Sequence, residues 1–422
     1  MEIRLKRAEN VDIRVTAPPS KSYTHRALVA AGLAEGESTI ERPLSSTDTL
    51  ITSTGLWRMG VGLEWDKDQV TVIGSGGRLE CGSFPELDLG DSGTSFRLLT
   101  SVALLCKKPV ILTGSKRMQE RPVGPLVDAL NQLGGRIRYP GKTGYPPLLV
   151  EGNLSGGTAA VDSRVSSQFA SSILLAAPCA DSPVELDIAS GLVSRSYLDV
   201  TADIMEKFGA RLSRDGYIRF RVGTGRYRAC RCRVEGDYSS ASYFFAIAAV
   251  CGGRAEVENL PSRSVQGDRL FLDALERMGC RVTCHEDRVV LTSDRKLAGI
   301  DIDMSSAPDT VQTLCVVAAF ASTPSTISGI SHLKHKESDR LQAIRDTIGA
   351  LGGKVSFRGD DTLVVHPAPL HGGVIDPGGD HRTAMSAAVL GLGVGDVVIR
   401  DAECVSKSFP GFWEALSEAG LL

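Results

Sequence analysis

Two hydrophobic patterns alternate along the chain. The first is an amphipathic segment that ends on an apolar residue and Gly, followed by a short strand-like run. It reads LWRMGVGLEW from Leu56, LNQLGGRIRY from Leu130, IMEKFGARLS from Ile204, LERMGCRVTC from Leu275 and IGALGGKVSF from Ile348, and a truncated copy, LSEAGLL, closes the chain. The glycines are Gly60, Gly134, Gly209, Gly279, Gly352 and Gly420, at intervals of 74, 75, 70, 73 and 68 residues. A Gly just past a helical pattern is a left-handed cap that ends the helix at low steric cost. Each mark therefore predicts a helix, a cap and a strand.

The second pattern is a run of small apolar residues with a polar start and few charges. Its six copies are SYTHRALVAAGLA, TSFRLLTSVALL, SQFASSILLAA, SSASYFFAIAAV, TVQTLCVVAAFA and RTAMSAAVLGLG. A helix that is apolar nearly all round is a buried helix. Each copy is followed by a strand-like segment: STIER, PVILTG, PVELDI, AEVENL, STISGI and DVVIR. VTVIG, LLVEG, YIRFRV, RVVLTS and TLVVHP supply the second strands of the pairs that follow the Gly-ended helices. The predicted fold class is α/β, built from six units of about 70 residues in the order β-α-β-α-β-β.

Composition narrows the class without changing this picture. The 422 residues carry 47 Lys and Arg against 50 Asp and Glu, a net charge of −3, with 42% hydrophobic and 23% charged residues. That balance is ordinary for a globular protein and excludes a disordered chain or a basic nucleic-acid binder. Glycine, at 45 residues, exceeds the usual share of about 7%, and the caps and turns account for much of the excess. Apolar runs such as Ala241–Val250 are too short to span a bilayer, and Met1–Asn10 is charged rather than leader-like. The ten cysteines form no tight paired spacing of the kind zinc requires, so reduced thiols, no metal and a cytoplasmic setting are expected.

Polar residues collect in the loops that lead into the predicted helices. Before the buried helices stand Pro18-Pro19-Ser20-Lys21-Ser22, Gly90-Asp91-Ser92-Gly93-Thr94, Ser166-Ser167-Gln168, Gly236-Asp237-Tyr238, Pro308-Asp309 and Gly379-Asp380-His381-Arg382. Before the Gly-ended helices stand Lys116-Arg117 with Glu120-Arg121-Pro122, Ser194-Arg195-Ser196-Tyr197, Arg263, Lys334 to Arg340 and Ser406-Lys407-Ser408. Helix N-termini carry free N–H groups and the positive end of the dipole, and they bind anions. Lys21, Arg121, Arg340, Arg382 and Lys407 add cations suited to phosphate and carboxylate. Ser166, Ser167, Gln168 and Ser194 add neutral donors, Gly93 lets a ligand approach the backbone, and Asp309 and Glu337 are carboxylates available for proton transfer. Singly, each has a bland reading: Ser167 as an N-cap, KHKESDR as a salt-bridged helix start, Lys21-Ser22 as surface. GDSGTS lacks the His and Asp pattern of a serine hydrolase, and the histidines lack metal-ligand spacing. The weight lies in the combination at equivalent positions of the repeat.

PPSKSYTHRALVAAGLAEG, LGDSGTSFRLL, ERPVGPLVDAL, VSSQFASSILLA, VEGDYSSASYF, HKESDRL and GGDHRTAMSAA together resemble, in order and over essentially the whole chain, the motifs of the enolpyruvyl transferase family, and within it those of the 5-enolpyruvylshikimate-3-phosphate synthases. The resemblance implies an inside-out α/β barrel type of fold: two similar domains of three units each, residues 20–232 forming one, residues 1–19 and 233–422 the other, with substrates bound in the cleft. It implies transfer of the enolpyruvyl group of phosphoenolpyruvate to the 5-hydroxyl of shikimate 3-phosphate. No cofactor or metal, no nucleic-acid or membrane partner, and a monomer are expected. By the same resemblance Lys21, Ser22, Arg26, Ser166, Ser167, Gln168, Ser194, Tyr197, Asp309, His332 and Lys336 would hold shikimate 3-phosphate. Lys21, Gly93, Arg121, Gln168, Arg340, Arg382 and Lys407 would hold phosphoenolpyruvate. Lys21, Asp309 and Glu337 are the expected catalytic groups. His332 and Asp91 depart from the family, where Asn is common at both places; His332 is expected to alter the pH dependence. The alternative is the sister enzyme that acts on UDP-N-acetylglucosamine, but the segment Thr113–Arg121 lacks the reactive Cys usual there.

Overall fold

A computed structural model of the chain describes residues 1–81 and 86–422. The six apolar patterns are helices: Lys21–Leu33, Gly93–Ala103, Gln168–Ala176, Tyr238–Cys251, Val311–Ala318 and His381–Val394. All fourteen residues of Tyr238–Cys251 are buried. The Gly-ended patterns are helices Thr47–Arg58, Gly124–Gln132, Ser196–Lys207, Leu270–Arg277, Arg340–Ala350 and Phe412–Glu418. The six marker glycines all take positive φ, from +71° to +113°, the left-handed cap geometry that a side chain disfavours. Polar residues cap several starts. Asp237 accepts from the Ser240 amide at 2.7 Å, and Asp339 accepts from the amides of Leu341 and Gln342.

The second, third and fifth units each fold their own strands into one small sheet. In the third, Gly157–Asp162 lies parallel to Val184–Ser190, and the hairpin Leu212–Asp215 with Arg219–Val222 adds on antiparallel. Parallel neighbours need a long crossover, and the buried helix is that crossover. The pattern repeats in the second and fifth units.

The other sheets depart from a simple repeat. Val11–Thr16 precedes the first buried helix but pairs in parallel with Gly253–Glu258, Val11 opposite Gly253. Arg231–Arg233 precedes the fourth buried helix but pairs in parallel with Glu35–Glu41, Arg231 opposite Thr39. The first and fourth units thus exchange their leading strands. The sixth unit has no hairpin of its own. Ile3–Leu5 takes the vacant place, antiparallel to Val397–Ile399, which pairs in parallel with Gly373–Ile375.

The chain divides into two compact units, Pro19–Val234, and Met1–Pro18 with Glu235–Leu422. Each has three sheets and its own apolar core. No helix among the described residues is long and apolar enough to cross a membrane.

Candidate active site

In the unit Pro19–Val234, three buried helices begin at Lys21, Gly93 and Gln168, and side chains tie these starts together. Lys21 Nζ lies 3.1 Å from Asp48 Oδ2. The Asp48 carbonyl accepts from Ser95 Oγ at 3.1 Å, and the Ser92 hydroxyl, which caps the second of these helices, lies 2.7 Å from Ser95 Oγ. Gln168 closes the set: Nε2 donates to Thr94 Oγ1 at 2.9 Å and Oε1 accepts from Arg97 at 2.6 Å. N–H groups at helix starts beside a lysine form a receptive place for anionic groups.

Arg26 is buried one turn below Lys21. Its guanidinium donates to Thr201 Oγ1, Ser171 Oγ and the carbonyls of Ser22 and Tyr197, and lies 5.9 Å from the centre of the Tyr197 ring. All four acceptors are neutral. Burial pushes the guanidinium down to about 10, with Tyr197 and Tyr23 opposing. Arg26 therefore orients Ser22 and Tyr197 as well as supplying charge.

Arg121 is buried, and its guanidinium rests against Gly93: a Cβ at position 93 would lie 2.5 Å from each terminal nitrogen. The space left by Gly93, which the sequence suggested for ligand, is filled by this side chain. Asp91 Oδ1 accepts from Ser115 Oγ at 3.1 Å, and Ser115 caps the short helix Lys116–Gln119 that leads to Arg121. Ser166 Oγ accepts from the Gln168 amide, and Ser166 and Ser167 are buried. Ser194 is buried, with φ +56° and, among the described residues, no hydrogen-bond partner for its hydroxyl. A non-Gly residue in that region stores about 1–3 kcal/mol of strain and clusters at functional sites.

In the unit that contains both chain ends, carboxylates surround Arg340. Its Nε lies 3.0 Å from Asp380, NH1 3.1 Å from Asp309 and NH2 2.8 Å from Glu337. Arg382 NH2 donates to the other Asp309 oxygen at 2.8 Å, its NH1 to the Asp309 carbonyl at 3.1 Å and also to the Ser239 hydroxyl. Burial alone would lower Arg340, but Asp380, Glu337 and Asp309 outweigh it and hold the guanidinium above its ordinary value. Asp380 is fully buried; Arg340 and then His381 overcome the burial cost and keep its carboxyl below the usual range. Asp380 also caps the sixth buried helix through the Arg382 amide, which fixes both arginines in place.

His332 is buried nearby, both ring nitrogens without a hydrogen-bond partner among the described residues. Burial, then the Lys336 charge, pushes it down to about 3, against Asp309 and Asp361. Lys336 ends the turn Ser331–His335, and Lys407 ends the turn Ala402–Lys407.

Three polar residues escaped the sequence reading of the site. Asp380 stood in the Gly379–Arg382 loop without a role, and Asp48 and Arg97 were not singled out.

A protein-family model described as EPSP synthase (3-phosphoshikimate 1-carboxyvinyltransferase) matches residues 5–416. The chain is 56% identical to the 3-phosphoshikimate 1-carboxyvinyltransferase of Methanoculleus marisnigri, with 100% of each chain covered. It is 55% identical to that of Methanoregula boonei, with 99% of each covered. The solved EPSP synthase of Acinetobacter baumannii superposes with a TM-score of 0.83 at 26% identity, over 100% of this chain and 98% of that one. The inside-out α/β fold with six repeated units, the three carboxylates on Arg340 and whole-chain similarity agree: the chain belongs to the EPSP synthase family.

Proposed function

We propose that this enzyme transfers the enolpyruvyl group of phosphoenolpyruvate to the 5-hydroxyl of shikimate 3-phosphate, giving 5-enolpyruvylshikimate 3-phosphate and phosphate. Within a chain of this family, the observation that carries the reading is the ion-pair network of Asp309, Glu337, Arg340 and Arg382. Addition to an enol phosphate needs a base toward the attacking hydroxyl, an acid toward the methylene carbon, and cations on the phosphate and carboxylate. The network offers all of these at once.

The 5-hydroxyl oxygen bonds to C2 of phosphoenolpyruvate as C3 gains a proton, giving a tetrahedral intermediate. C3 then loses a proton as the C2–O bond to phosphate breaks, and the enol ether forms. Asp309 takes the hydroxyl proton, with Lys21 sharing that role, and Glu337 serves C3 in both directions. Phosphoenolpyruvate offers Arg340 and Arg382 new anionic acceptors. Arg121, Gly93, Gln168 and Lys407 complete the phosphoenolpyruvate set. Lys21, Ser22, Arg26, Ser166, Ser167, Gln168, Ser194, Tyr197, Asp309, His332 and Lys336 hold shikimate 3-phosphate. The unpartnered hydroxyl of Ser194 and ring nitrogens of His332 support those placements, because a buried polar group without a partner is costly unless a ligand satisfies it.

Phosphate release from phosphoenolpyruvate, with shikimate 3-phosphate or UDP-N-acetylglucosamine offered separately, tests the proposal. Release is expected with shikimate 3-phosphate; release only with the sugar nucleotide overturns it.

A further inference from the structure

Away from these residues, two thiols meet. Cys81 Sγ and Cys106 Sγ lie 2.7 Å apart, about 0.65 Å beyond a disulfide bond of about 2.05 Å. The backbone sets the approach. Leu79 stands opposite Cys106 in a parallel bridge, its amide donating to the Leu105 carbonyl and its carbonyl accepting from the Lys107 amide, each at 3.3 Å. Cys81 is two residues beyond Leu79, on a segment held against the turn that follows the Gly93–Ala103 helix. Both cysteines are buried, at 6% and 8% exposure, but a cavity of about 640 Å³ opens on Cys106 and is also lined by Lys107, Lys108, Arg136, Glu151 and Asn153.

We infer that Cys81 and Cys106 are an oxidisable pair, a modification site that closes to a disulfide and staples the far end of the Gly93–Ala103 helix to the segment 79–81. The contact with Cys106, and more weakly the Lys108 charge, lower the Cys81 thiol against burial, while the same contact and burial raise Cys106. Cys81 is therefore the nucleophile. With a peroxide as oxidant, its thiolate attacks one peroxide oxygen, the O–O bond breaks and hydroxide leaves, giving a sulfenic acid. Cys106 loses its proton to that hydroxide and its sulfur attacks the sulfenic sulfur. The S–O bond breaks, and the departing hydroxide takes a proton from solvent. Two thiols are oxidised, one peroxide is reduced and two waters form. The cavity opens on Cys106, and the oxidant reaches the Cys81 sulfur 2.7 Å beyond it.

The test is native full-length protein treated with hydrogen peroxide and mapped without reduction. The intact mass is expected to fall by about 2 Da, with a peptide linking Cys81 to Cys106 that dithiothreitol cleaves. Cys81→Ser and Cys106→Ser should each abolish the link. The oxidised wild-type protein should melt roughly 5 °C higher than the reduced form, because the cross-link restricts the unfolded chain. Oxygen adducts on either cysteine without the link, a link to another cysteine, or two unreacted thiols would overturn the inference. The wild-type map decides it even if neither variant folds.

Discussion

The Arg121 guanidinium occupies the space that a side chain on Gly93 would need. A Cβ there would stand 2.5 Å from both terminal nitrogens, so any residue larger than Gly displaces the arginine. The obstacle is the far end of a flexible side chain rather than backbone, so the fold accommodates the change while the cation moves. Gly93→Ala is expected to raise KM for phosphoenolpyruvate about tenfold, as loss of one charge-assisted hydrogen bond does, with Tm nearly unchanged. Arg121→Ala should raise KM by as much or more, and the double variant should add little to it, because both changes remove one interaction. Full additivity in steady-state kinetics would separate the two residues.

Ser194 allows a second separation of stability from binding. Its φ of +56° favours Gly. Ser194→Gly relieves the left-handed strain of about 1–2 kcal/mol but adds chain entropy to the unfolded state of similar size. Tm should hold or rise slightly. The lost hydroxyl should raise KM for shikimate 3-phosphate about tenfold. An unchanged KM would remove Ser194 from the phosphate.

Two buried histidines set the acid side of the stability curve. Burial pushes both His25 and His332 down to about 3. For His25 it acts against Asp48, and Lys21 and Arg26 also lower it. A depressed folded value means that the unfolded chain binds the proton first. The stability these groups contribute is complete above the unfolded value near 6.5 and is lost as pH falls through the window down to about 3. Each histidine contributes a slope of up to about 1.4 kcal/mol per pH unit there. Urea titrations between pH 7 and 4.5 should show stability falling, and His332→Asn should flatten the curve by about one proton. The proposed contact with shikimate 3-phosphate, an anion, would favour the protonated His332 ring. Calorimetry of shikimate 3-phosphate binding in buffers of different ionisation enthalpy should therefore show proton uptake, absent in His332→Asn.

Glu337 can lose its charge without collapsing its surroundings, since Arg340 keeps Asp380 and Asp309. Glu337→Gln is expected to lower kcat by roughly 10²–10⁴, the usual worth of a general acid–base group, with KM changed far less and Tm lowered by only a few degrees. Arg340→Met should instead unfold the protein readily. It leaves the fully buried Asp380 charge without its nearest cation, a loss of about 3–5 kcal/mol. Equal turnover in Glu337→Gln and wild type would end the acid–base assignment.

The parts of this molecule that were legible in sequence are those fixed by neighbours in the chain. Gly60 and Gly279 could be read as caps because a helix end is a local event, and SSASYFFAIAAV could be read as buried because its whole circumference is apolar. The exchange of Val11–Thr16 and Arg231–Arg233 was not legible in full: either strand fits either sheet by its own pattern, and the choice is made by partners some two hundred residues away. The site divides the same way. Arg340 and Glu337 stand out as charges at a helix start. That Arg340 gathers Asp309 and Asp380 from two other loops is a matter of tertiary packing. Gly93 was legible as a small residue, but the occupant of its space was not.

The strand Ile3–Leu5 that completes the sixth sheet also imposes a timetable. By the time a ribosome has made residue 234, every strand of the sheets in Pro19–Val234 exists, and that unit can close as it emerges. The first eighteen residues, made before it, must wait. Val11–Thr16 needs Gly253–Glu258, and Ile3–Leu5 needs Val397–Ile399, nearly four hundred residues later. At about 5–20 residues per second, that delay is tens of seconds, during which the oldest segment of the nascent chain has no sheet to join. Protease sensitivity of Ile3–Leu5, with Pro19–Val234 protected, in chains stalled between residues 234 and 397 would mark this interval.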